Sequence, residues 1–547
     1  MENRTNRILG KTTATYNVPN TVDEFYFWID DGKLVQPYDF VTAVGGTIRS
    51  VAIVTEISLY TDAQSHLANR IGSDLENVQE LARLGARVAR ANVFYTSENK
   101  EGGLVEERLV PMPSGVPVYM STPEEVEEAM FVLQKREGAI PAGVMRNSIG
   151  ENIVVLLDAD YLLGPQSAHA NVSGITGLAT KTSYMMFLLY SVNQIHPNEY
   201  INIIFNVKQA DLMKIEDAGA LDDRDKALYK LMFKTEPEPF KNVQYYQPSG
   251  KGGKALSYSS KIKRLYNFIL AESYRDLDLL FADVDDSWHT VASFSAHFIR
   301  DWDSKNQQWV LATGRSSRYT ANNWEDLRNT LEQHQREIAD AYHLQYNTVG
   351  RITRELTRLT DSTVFVTTRG PNEFSIKNVI KNLKPGETIV IDIAKLPPTA
   401  QTFVVGNVFR ELENTILQET EDTKKKAIVI VDELNSLAPS SQDHPIKQQI
   451  VEVARKGRSA GFIIFGAEQF ASEVDDQIVG NSALRVFGRT SAVEANTSAY
   501  RNLTSSDKNT ILRLKKGEML LSYPTFRTNI RVYFPKPPYK LPATAVT

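Results

Sequence analysis

A polar, glycine-bearing stretch at residues 173–180 leads directly into Lys181, Thr182 and Ser183 and then into an apolar helix pattern at residues 184–190. Backbone N–H groups of such a loop can point inward around phosphates, and the helix N-terminus adds partial positive charge. Lys181 would reach the β- and γ-phosphates of ATP, and the Thr182 hydroxyl would ligate Mg²⁺. The residues predicted to bind the nucleotide are Gly174, Thr176, Gly177, Leu178, Ala179, Thr180, Lys181, Thr182 and Ser183.

The loop departs from the usual phosphate-binding pattern at two points. One residue more than the usual spacing separates Gly174 from Lys181, and Thr180 stands where a glycine normally precedes the lysine. A threonine there carries a cost for any positive φ that glycine would adopt freely. A plain glycine-containing turn before a helix is therefore the alternative interpretation of the same residues.

Two adjacent acids follow an entirely apolar strand pattern. Residues 427–431 read Ala-Ile-Val-Ile-Val, and Asp432 and Glu433 come next. Combined with a phosphate loop, Asp432 would hold the Mg²⁺ shell through water, and Glu433 would polarise the attacking water. The alternative is a solvated strand end without a chemical role.

Gln469 and several arginines are further candidates for catalysis. Gln469 lies just beyond the strand pattern at residues 461–465, where it would orient the attacking water; a polar strand cap is the alternative. Arg458 would reach the nucleotide of a neighbouring subunit and stabilise transition-state charge. The alternative is a basic helix C-terminus capped by Gly457. Other candidates for this finger are Arg455, Arg485 and Arg489.

The composition is that of an ordinary soluble globular protein. The chain of 547 residues is long enough for two or three domains, and 42% of it is hydrophobic. Its net charge of −5 does not indicate a nucleic-acid binder, although a basic channel inside a ring is compatible with it. The absence of cysteine excludes disulfides and cysteine-ligated zinc. Without a membrane-length apolar run or a signal-peptide core, we expect a cytoplasmic protein with no membrane partner.

Strand and helix patterns divide the chain into four parts. Short β-branched and aromatic runs predict a small β-barrel at residues 1–122, with one helix near residues 63–70. Buried-strand patterns alternating with helices predict an α/β core. Its first part is 123–208, and its second part, with a closing β-hairpin, is 362–547. Between them, 209–361 is predicted to be a mainly helical insertion, with amphipathic helices at residues 261–280 and 323–342.

Several motifs together resemble HerA-like ATPases of the HerA–FtsK superfamily over nearly the whole chain. They are His169 to Gly177, Ile204 to Leu212, Ile428 to Glu433, Ala454 to Gly461 and Gly517 to Leu521. The resemblance implies a RecA-like P-loop ATPase core preceded by a HAS-like barrel. It also implies the Walker A role for Lys181 and Thr182, the Walker B role for Asp432 and Glu433, a polar sensor at Gln469 and a finger in trans at Arg458.

The loop variant resembles the HerA subunits of bacterial anti-phage pairs, whose partner is a sirtuin-like NAD hydrolase or a nuclease. This implies a homo-hexamer that hydrolyses ATP with Mg²⁺ and moves double-stranded DNA through its pore. The alternative is an ATP-bound ring that scaffolds and switches a partner effector with little translocation. Residues 25–29 include large apolar side chains, some of which we expect on the outer face of the barrel, where a partner would dock; the alternative is that all five are core or subunit-contact residues.

Overall fold

The computed structural model describes twelve stretches of the chain. They are residues 7–61, 85–99, 105–131, 137–175, 181–250, 253–260, 263–281, 290–313, 317–360, 364–417, 425–441 and 445–541. The helix predicted near residues 63–70 lies outside them, and so does the loop segment 176–180.

The N-terminal part is a closed antiparallel barrel. Its strands are β1 (Ile8–Thr13), β2 (Glu24–Ile29), β3 (Phe40–Gly45), β4 (Ile48–Thr61), β5 (Gly85–Asn99), β6 (Val105–Glu107) and β7 (Pro117–Met120). They follow the order β2-β1-β7-β3-β4-β5-β6, and a pairing between β2 and β5 closes a six-stranded barrel, with β6 added outside the ring beside β5. Along β2, Phe25 and Phe27 are fully buried, whereas Trp28 is 45% exposed, as expected from the period of two in a strand. The predicted barrel and its outward-facing aromatic residue are both confirmed.

A 13-stranded mixed sheet forms the main body. Its order is β17-β13-β12-β18-β11-β19-β20-β10-β21-β22-β23-β8-β9, and the strands from β17 to β21 run parallel. The strands of this sheet are β8 (Ile140–Arg146), β9 (Asn152–Leu157), β10 (Ala168–Ser173), β11 (Tyr200–Asn206), β12 (Val243–Pro248), β13 (Arg264–Tyr266), β17 (Glu373–Phe374), β18 (Thr388–Asp392), β19 (Lys426–Asp432), β20 (Phe462–Glu468), β21 (Ser482–Phe487), β22 (Glu518–Ser522) and β23 (Ile530–Tyr533). A separate small sheet consists of β14 (Trp302–Asp303), β15 (Gln308–Thr313) and β16 (Ser317–Ala321).

The order at the centre of this sheet is the feature that positions the site. Strand β20 lies between β10, which leads into the predicted phosphate loop, and β19, which ends in Asp432. Ser173 pairs with Glu468, and Asp432 pairs with Ala467, so these carboxyl ends meet at one edge. Ligands of open parallel sheets bind at that edge. The predicted α/β core behind an N-terminal barrel is confirmed.

Helices cover both faces of the sheet. They are Pro123–Phe131, Ala159–Leu162, Lys181–Ile195, Asp223–Phe233, Leu270–Ser273, Thr290–Arg300, Trp324–Gln333, Gln335–Ala341, Tyr346–Thr360, Ile376–Asn382, Pro398–Leu417, Leu434–Leu437, Pro445–Ala460, Asp476–Asn481, Ala492–Ala495 and Ser505–Ile511, with 3₁₀ helices at Tyr274–Phe281, Ala471–Glu473 and Ser498–Tyr500. None of the helices in the described ranges has the length and apolar character needed to cross a bilayer.

The single amphipathic helix predicted at residues 261–280 is confirmed only in part, because Leu270–Ser273 is helical and the described residues before it are not. Within it, Arg264–Tyr266 is strand β13, which pairs in parallel with β12, and Tyr274–Phe281 is a 3₁₀ helix with a kink at Asp276. Parallel pairing to an existing sheet edge outweighs the local helical pattern, which reports amphipathicity alone. Both β12 and β13 lie in the range that the sequence assigns to a mainly helical insertion. The helical pattern at residues 323–342 is confirmed, with a break at His334.

The barrel and the sheet share one apolar core. Phe40 and Phe94 of the barrel belong to the same buried cluster as the helix Lys181–Ile195 and the closing hairpin. The ring of Phe94 lies 6.2 Å from that of Phe526, and Arg7 makes a two-pronged ion pair with Glu151 at 2.6 and 2.9 Å. A second core on the opposite face joins the sheet to the helical part.

Candidate functional site

Strand β10 leads into the loop, and the backbone at this point packs closely against residues 488–489. Ile175 N–H donates to the Arg489 carbonyl at 2.8 Å, and Gly488 N–H donates to the Ser173 carbonyl at 2.7 Å. A Cβ on Gly174 would lie 3.1 Å from Gly488 Cα and 3.2 Å from the Arg489 oxygen. The predicted glycine is therefore required by close approach at this point. The other loop residues predicted to bind nucleotide, Thr176, Gly177, Leu178, Ala179 and Thr180, lie outside the described residues.

Lys181 begins the helix that follows the loop, and its side chain is buried. It is 3% exposed, and its Nζ has no hydrogen-bond partner among the described residues. Burial lowers the pKa of Lys181, and the nearby carboxylates of Asp432 and Glu433 oppose that shift. A buried ammonium without a partner is costly unless an anion reaches it. The adjoining Ser183 is also buried in this first turn.

Thr182 and Asp432 meet at the carboxyl edge of the sheet. The Thr182 Oγ1 donates a hydrogen bond of 2.9 Å to Asp432 Oδ2, and Asp432 is 5% exposed. Residues 250 positions apart in the sequence are thus joined by the parallel arrangement of β10 and β19. The pair offers hydroxyl and carboxylate oxygens, which are the donors that Mg²⁺ takes in proteins.

Glu433 occupies a strained backbone position directly after Asp432. Its φ of 57° and ψ of 48° place it in the left-handed region, which costs a non-glycine residue of order 1–3 kcal/mol. Its N–H donates to Asp432 Oδ1 at 3.0 Å, and its carboxylate accepts a hydrogen bond from Lys208. The turn aims the Glu433 carboxylate along the edge of the sheet rather than into the core.

Lys208 is a site residue that the sequence reasoning missed. It follows β11, the neighbour of β19, and its Nζ lies 3.8 Å from Asp432 Oδ2 as well as in contact with Glu433. Burial alone lowers the pKa of Lys208, but Asp432 and Glu433 outweigh it and the net pKa is raised. The signal available in the sequence was a lysine directly after a buried strand. The carboxyl ends of parallel strands lie at one edge of a sheet, so this lysine could be expected near Asp432 and Glu433.

A buried polar pair beneath the loop was also missed. Asn171 Nδ2 donates to Glu468 Oε2 at 3.1 Å, and the Glu468 backbone carbonyl accepts from Gly174 N–H at 3.2 Å. Burial raises the pKa of Glu468 well above its usual value. The signal was a Glu at the end of an apolar strand and an Asn in the strand that leads into the loop. Gln469 follows Glu468 at the same edge and is half-buried.

The arginine candidates occupy two different edges. Arg458 Nη1 donates to the Gln166 carbonyl at 3.2 Å, just before β10 begins, so it lies at the amino edge of the sheet, away from its own loop. Arg455 is exposed on the same helix. Arg489 is exposed beside the loop at the carboxyl edge. Arg485 is half-buried, donates to the Ala499 carbonyl and stacks over Phe487 at 5.2 Å.

The described residues fit a nucleoside triphosphate with Mg²⁺. The buried Lys181 ammonium has no hydrogen-bond partner among the described residues and would be stabilised by an anion, and the N-terminus of a helix of 15 residues adds partial positive charge at the same place. Thr182 and Asp432 present oxygen atoms of the kind that Mg²⁺ takes as ligands. Four of the predicted site residues, Lys181, Thr182, Asp432 and Glu433, are therefore brought together, whereas Arg458 is not.

Comparisons with models of protein families and with curated protein sequences find no match. Among solved structures, the chain is similar to the plasmid coupling protein TrwB in complex with ADP and Mg²⁺, with a TM-score of 0.44 and 13% identity over 69% of this chain and 87% of that one. It is similar to VirB4 of Thermoanaerobacter pseudethanolicus, with a TM-score of 0.43 and 17% identity over 75% and 98% of the two chains. A weaker similarity, with a TM-score of 0.23 and 14% identity, links 29% of the chain to 72% of the genome packaging NTPase B204 from Sulfolobus turreted icosahedral virus 2.

Proposed function

We propose that the protein is an ATPase that binds ATP with Mg²⁺ at the carboxyl edge of its parallel sheet. The observation that carries this proposal is the 2.9 Å hydrogen bond from Thr182 to Asp432, beside the buried Lys181, whose Nζ has no hydrogen-bond partner in the part of the chain that the structure describes. Distant segments of the chain place a phosphate-binding cation, two metal-binding oxygens and a candidate base within one small region. A glycine-containing turn without a ligand would not require a buried ammonium.

Each residue has a defined role in this reaction. Lys181 binds the β- and γ-phosphates, Thr182 and Asp432 hold the metal ion, and Glu433 accepts a proton from the attacking water. Mg²⁺, when bound, neutralises charge that develops on the phosphoryl oxygens. Gln469 orients the attacking water from the end of the neighbouring strand.

We extend the proposal to a hexameric motor that moves double-stranded DNA. Its supports are the sequence resemblance and the position of Arg458, which is exposed and remote from its own loop, as a finger acting in trans must be. The barrel would carry the docking face for a separate effector, a sirtuin-like NAD hydrolase or a nuclease, in anti-phage defence. The exposed Trp28 supports that face, and the cysteine-free chain fits a cytoplasmic location.

A ring that scaffolds and switches its effector with little translocation is the second candidate. The Lys208–Glu433 contact favours it, because an engaged base is compatible with slow turnover. The two functions differ in their response to DNA. A motor accelerates ATP turnover on long duplex DNA, whereas a scaffold turns over ATP at one rate with or without it.

Nucleotide binding tests the shared part of the proposal. Lys181→Ala removes the phosphate-binding cation and should weaken binding of a fluorescent ATP analogue by at least about tenfold, since a charged hydrogen bond contributes about 1.5–3 kcal/mol. Lys241→Ala is the matched control, because Lys241 is an exposed surface lysine paired with Glu238. Equal affinities for wild type, Lys181→Ala and Lys241→Ala would rule out this site.

A further inference from the structure

The turn after β11 holds Lys208 in a fixed place at the edge of the sheet. Asn206 Nδ2 donates to the Gln209 carbonyl at 2.7 Å and to Asp392 Oδ1 at 2.8 Å, while Asn206 Oδ1 accepts from Leu212 N–H at 3.1 Å. Asn206 is 1% exposed. The buried Asn206 amide thus bonds to the backbone of the turn after Lys208 and to Asp392 of β18. These bonds fix the backbone from which the Lys208 side chain extends.

The side chain of Lys208 reaches across to the acids of β19. Its Nζ donates to Glu433 Oε1 and lies 3.8 Å from Asp432 Oδ2. The alignment of β11 with β19, which pairs Ile204 with Ile430, brings the ends of the two strands together. The contact therefore follows from the sheet register and from a fixed turn, and the Lys208 side chain remains 40% exposed.

This contact bears directly on the proposed base. To accept a proton, a Glu433 oxygen must present a lone pair to the attacking water. An ammonium hydrogen-bonded to that carboxylate occupies a lone pair and holds the carboxylate towards β11. In the proposed reaction, Lys208 and the attacking water would therefore compete for the Glu433 carboxylate.

We propose that Lys208 is a positioning residue that restrains Glu433 and sets a low basal rate of ATP hydrolysis. The proposal rests on the ATPase function stated above. Faster turnover requires that Lys208 release Glu433, so that the acid is free to engage water. Lys208 thereby links the end of β11 to the chemistry at β19.

Substitutions that separate charge from size test this role in the full-length protein. Lys208→Met removes the ammonium with little change in volume, and basal ATP turnover should rise about three- to tenfold, which is less than a buried charged hydrogen bond would give because the Lys208 side chain is 40% exposed. The separate variant Lys208→Arg keeps a cation at this position, so its basal ATP turnover should stay as low as that of wild type. In a Glu433→Gln background, adding Lys208→Met should change nothing. Lys241→Met is the surface control.

Two results would overturn the proposal. A fall in turnover of Lys208→Met, with ATP affinity and melting temperature unchanged, would make Lys208 a source of positive charge for the reaction rather than a restraint. Unchanged turnover in Lys208→Met and in a folded Lys208→Gln would show that the contact has no kinetic effect. Failure of the ATPase function itself gives a different result, because wild type and Lys181→Ala would then turn over ATP equally.

Discussion

His169 is a buried titratable residue at the start of the strand that leads to the loop. Its backbone has a φ of 73°, and its Nδ1 accepts a hydrogen bond of 3.0 Å from Ile464 N–H in β20. Burial lowers the pKa of His169 to about 4, well below its ordinary value of 6.5. The neutral ring therefore helps to hold β10 beside β20, and protonation of Nδ1 would break that bond.

This residue should make the protein sensitive to mild acid. Because the folded pKa is depressed, the contribution of His169 is complete above pH 6.5 and is lost as the pH falls towards 4. By pH 5 the free energy of unfolding should have fallen by about 2 kcal/mol through this residue. His169→Asn keeps an acceptor and tolerates the left-handed backbone, so its melting temperature should fall less than that of wild type between pH 7 and pH 5. Equal falls in the two proteins would contradict the assignment.

Some site residues were predictable from sequence because their signal is local. Asp432 and Glu433 directly follow an apolar strand, and Lys181 and Thr182 open an apolar helix. Lys208 depends on β11 lying beside β19, a neighbour relation between segments separated by more than 200 residues. No local pattern specifies that relation, so the contact became visible only in the folded chain.

Among the elements, the short helix Ser505–Ile511 links three parts of the molecule. Thr504 and Asp507 form a reciprocal capping box at its start. The Asp507 carboxylate also accepts from Tyr38 of the barrel at 3.0 Å and from Asn529 of the closing hairpin at 2.9 Å. One carboxylate thus satisfies the helix start and fastens the barrel and the hairpin to it.

Removal of the Asp507 carboxylate should lower the free energy of unfolding more than removal of any one of its hydrogen-bond partners. Asp507→Ala should lower the free energy of unfolding by about 3 kcal/mol, since it removes a cap and two further bonds to a charged acceptor. Tyr38→Phe removes one bond and should cost about 1 kcal/mol. Thermal unfolding of both variants, with Asp507→Asn as a control that keeps an acceptor, measures the order. A Tyr38→Phe effect as large as that of Asp507→Ala would argue against the shared carboxylate.

The elements that could be predicted from sequence are those whose pattern matches their burial. Strands β11 and β19 are apolar runs buried on both faces, and β2 is an aromatic run whose burial alternates along the strand. The helix predicted at residues 261–280 is interrupted at Asp276, whose position depends on distant residues. Its carboxylate accepts hydrogen bonds from Lys377 at 2.6 Å and from Asn407 at 2.8 Å. Such tertiary contacts leave no periodic signal in the segment itself.

For the whole molecule, the proposed ring predicts that active sites are shared between subunits. Lys181 and Glu433 lie at one edge of the sheet and Arg458 at the other, so a finger at Arg458 serves only a neighbour's nucleotide. Mixing Lys181→Ala with Arg458→Ala subunits, each inactive alone, should restore part of the ATP turnover, because some interfaces then pair an intact loop with an intact arginine.

A second mixture provides the control for this experiment. Lys181→Ala mixed with Glu433→Gln places a defect in every site, so no turnover should return. If mixed rings form and the Lys181→Ala and Arg458→Ala mixture also stays inactive, Arg458 is not the finger, and Arg455 or Arg489 takes its place for testing.

The most direct test of the account is hydrolysis by the Glu433→Gln protein. Glutamine keeps the size of the side chain but cannot accept the proton from water, so bound ATP should persist while turnover falls at least about 100-fold, the scale of a lost positioned base. Rapid separation of protein-bound ATP from ADP after mixing with Mg²⁺ measures both quantities at once. Retained, uncleaved ATP supports the account, and hydrolysis at the wild-type rate would contradict it.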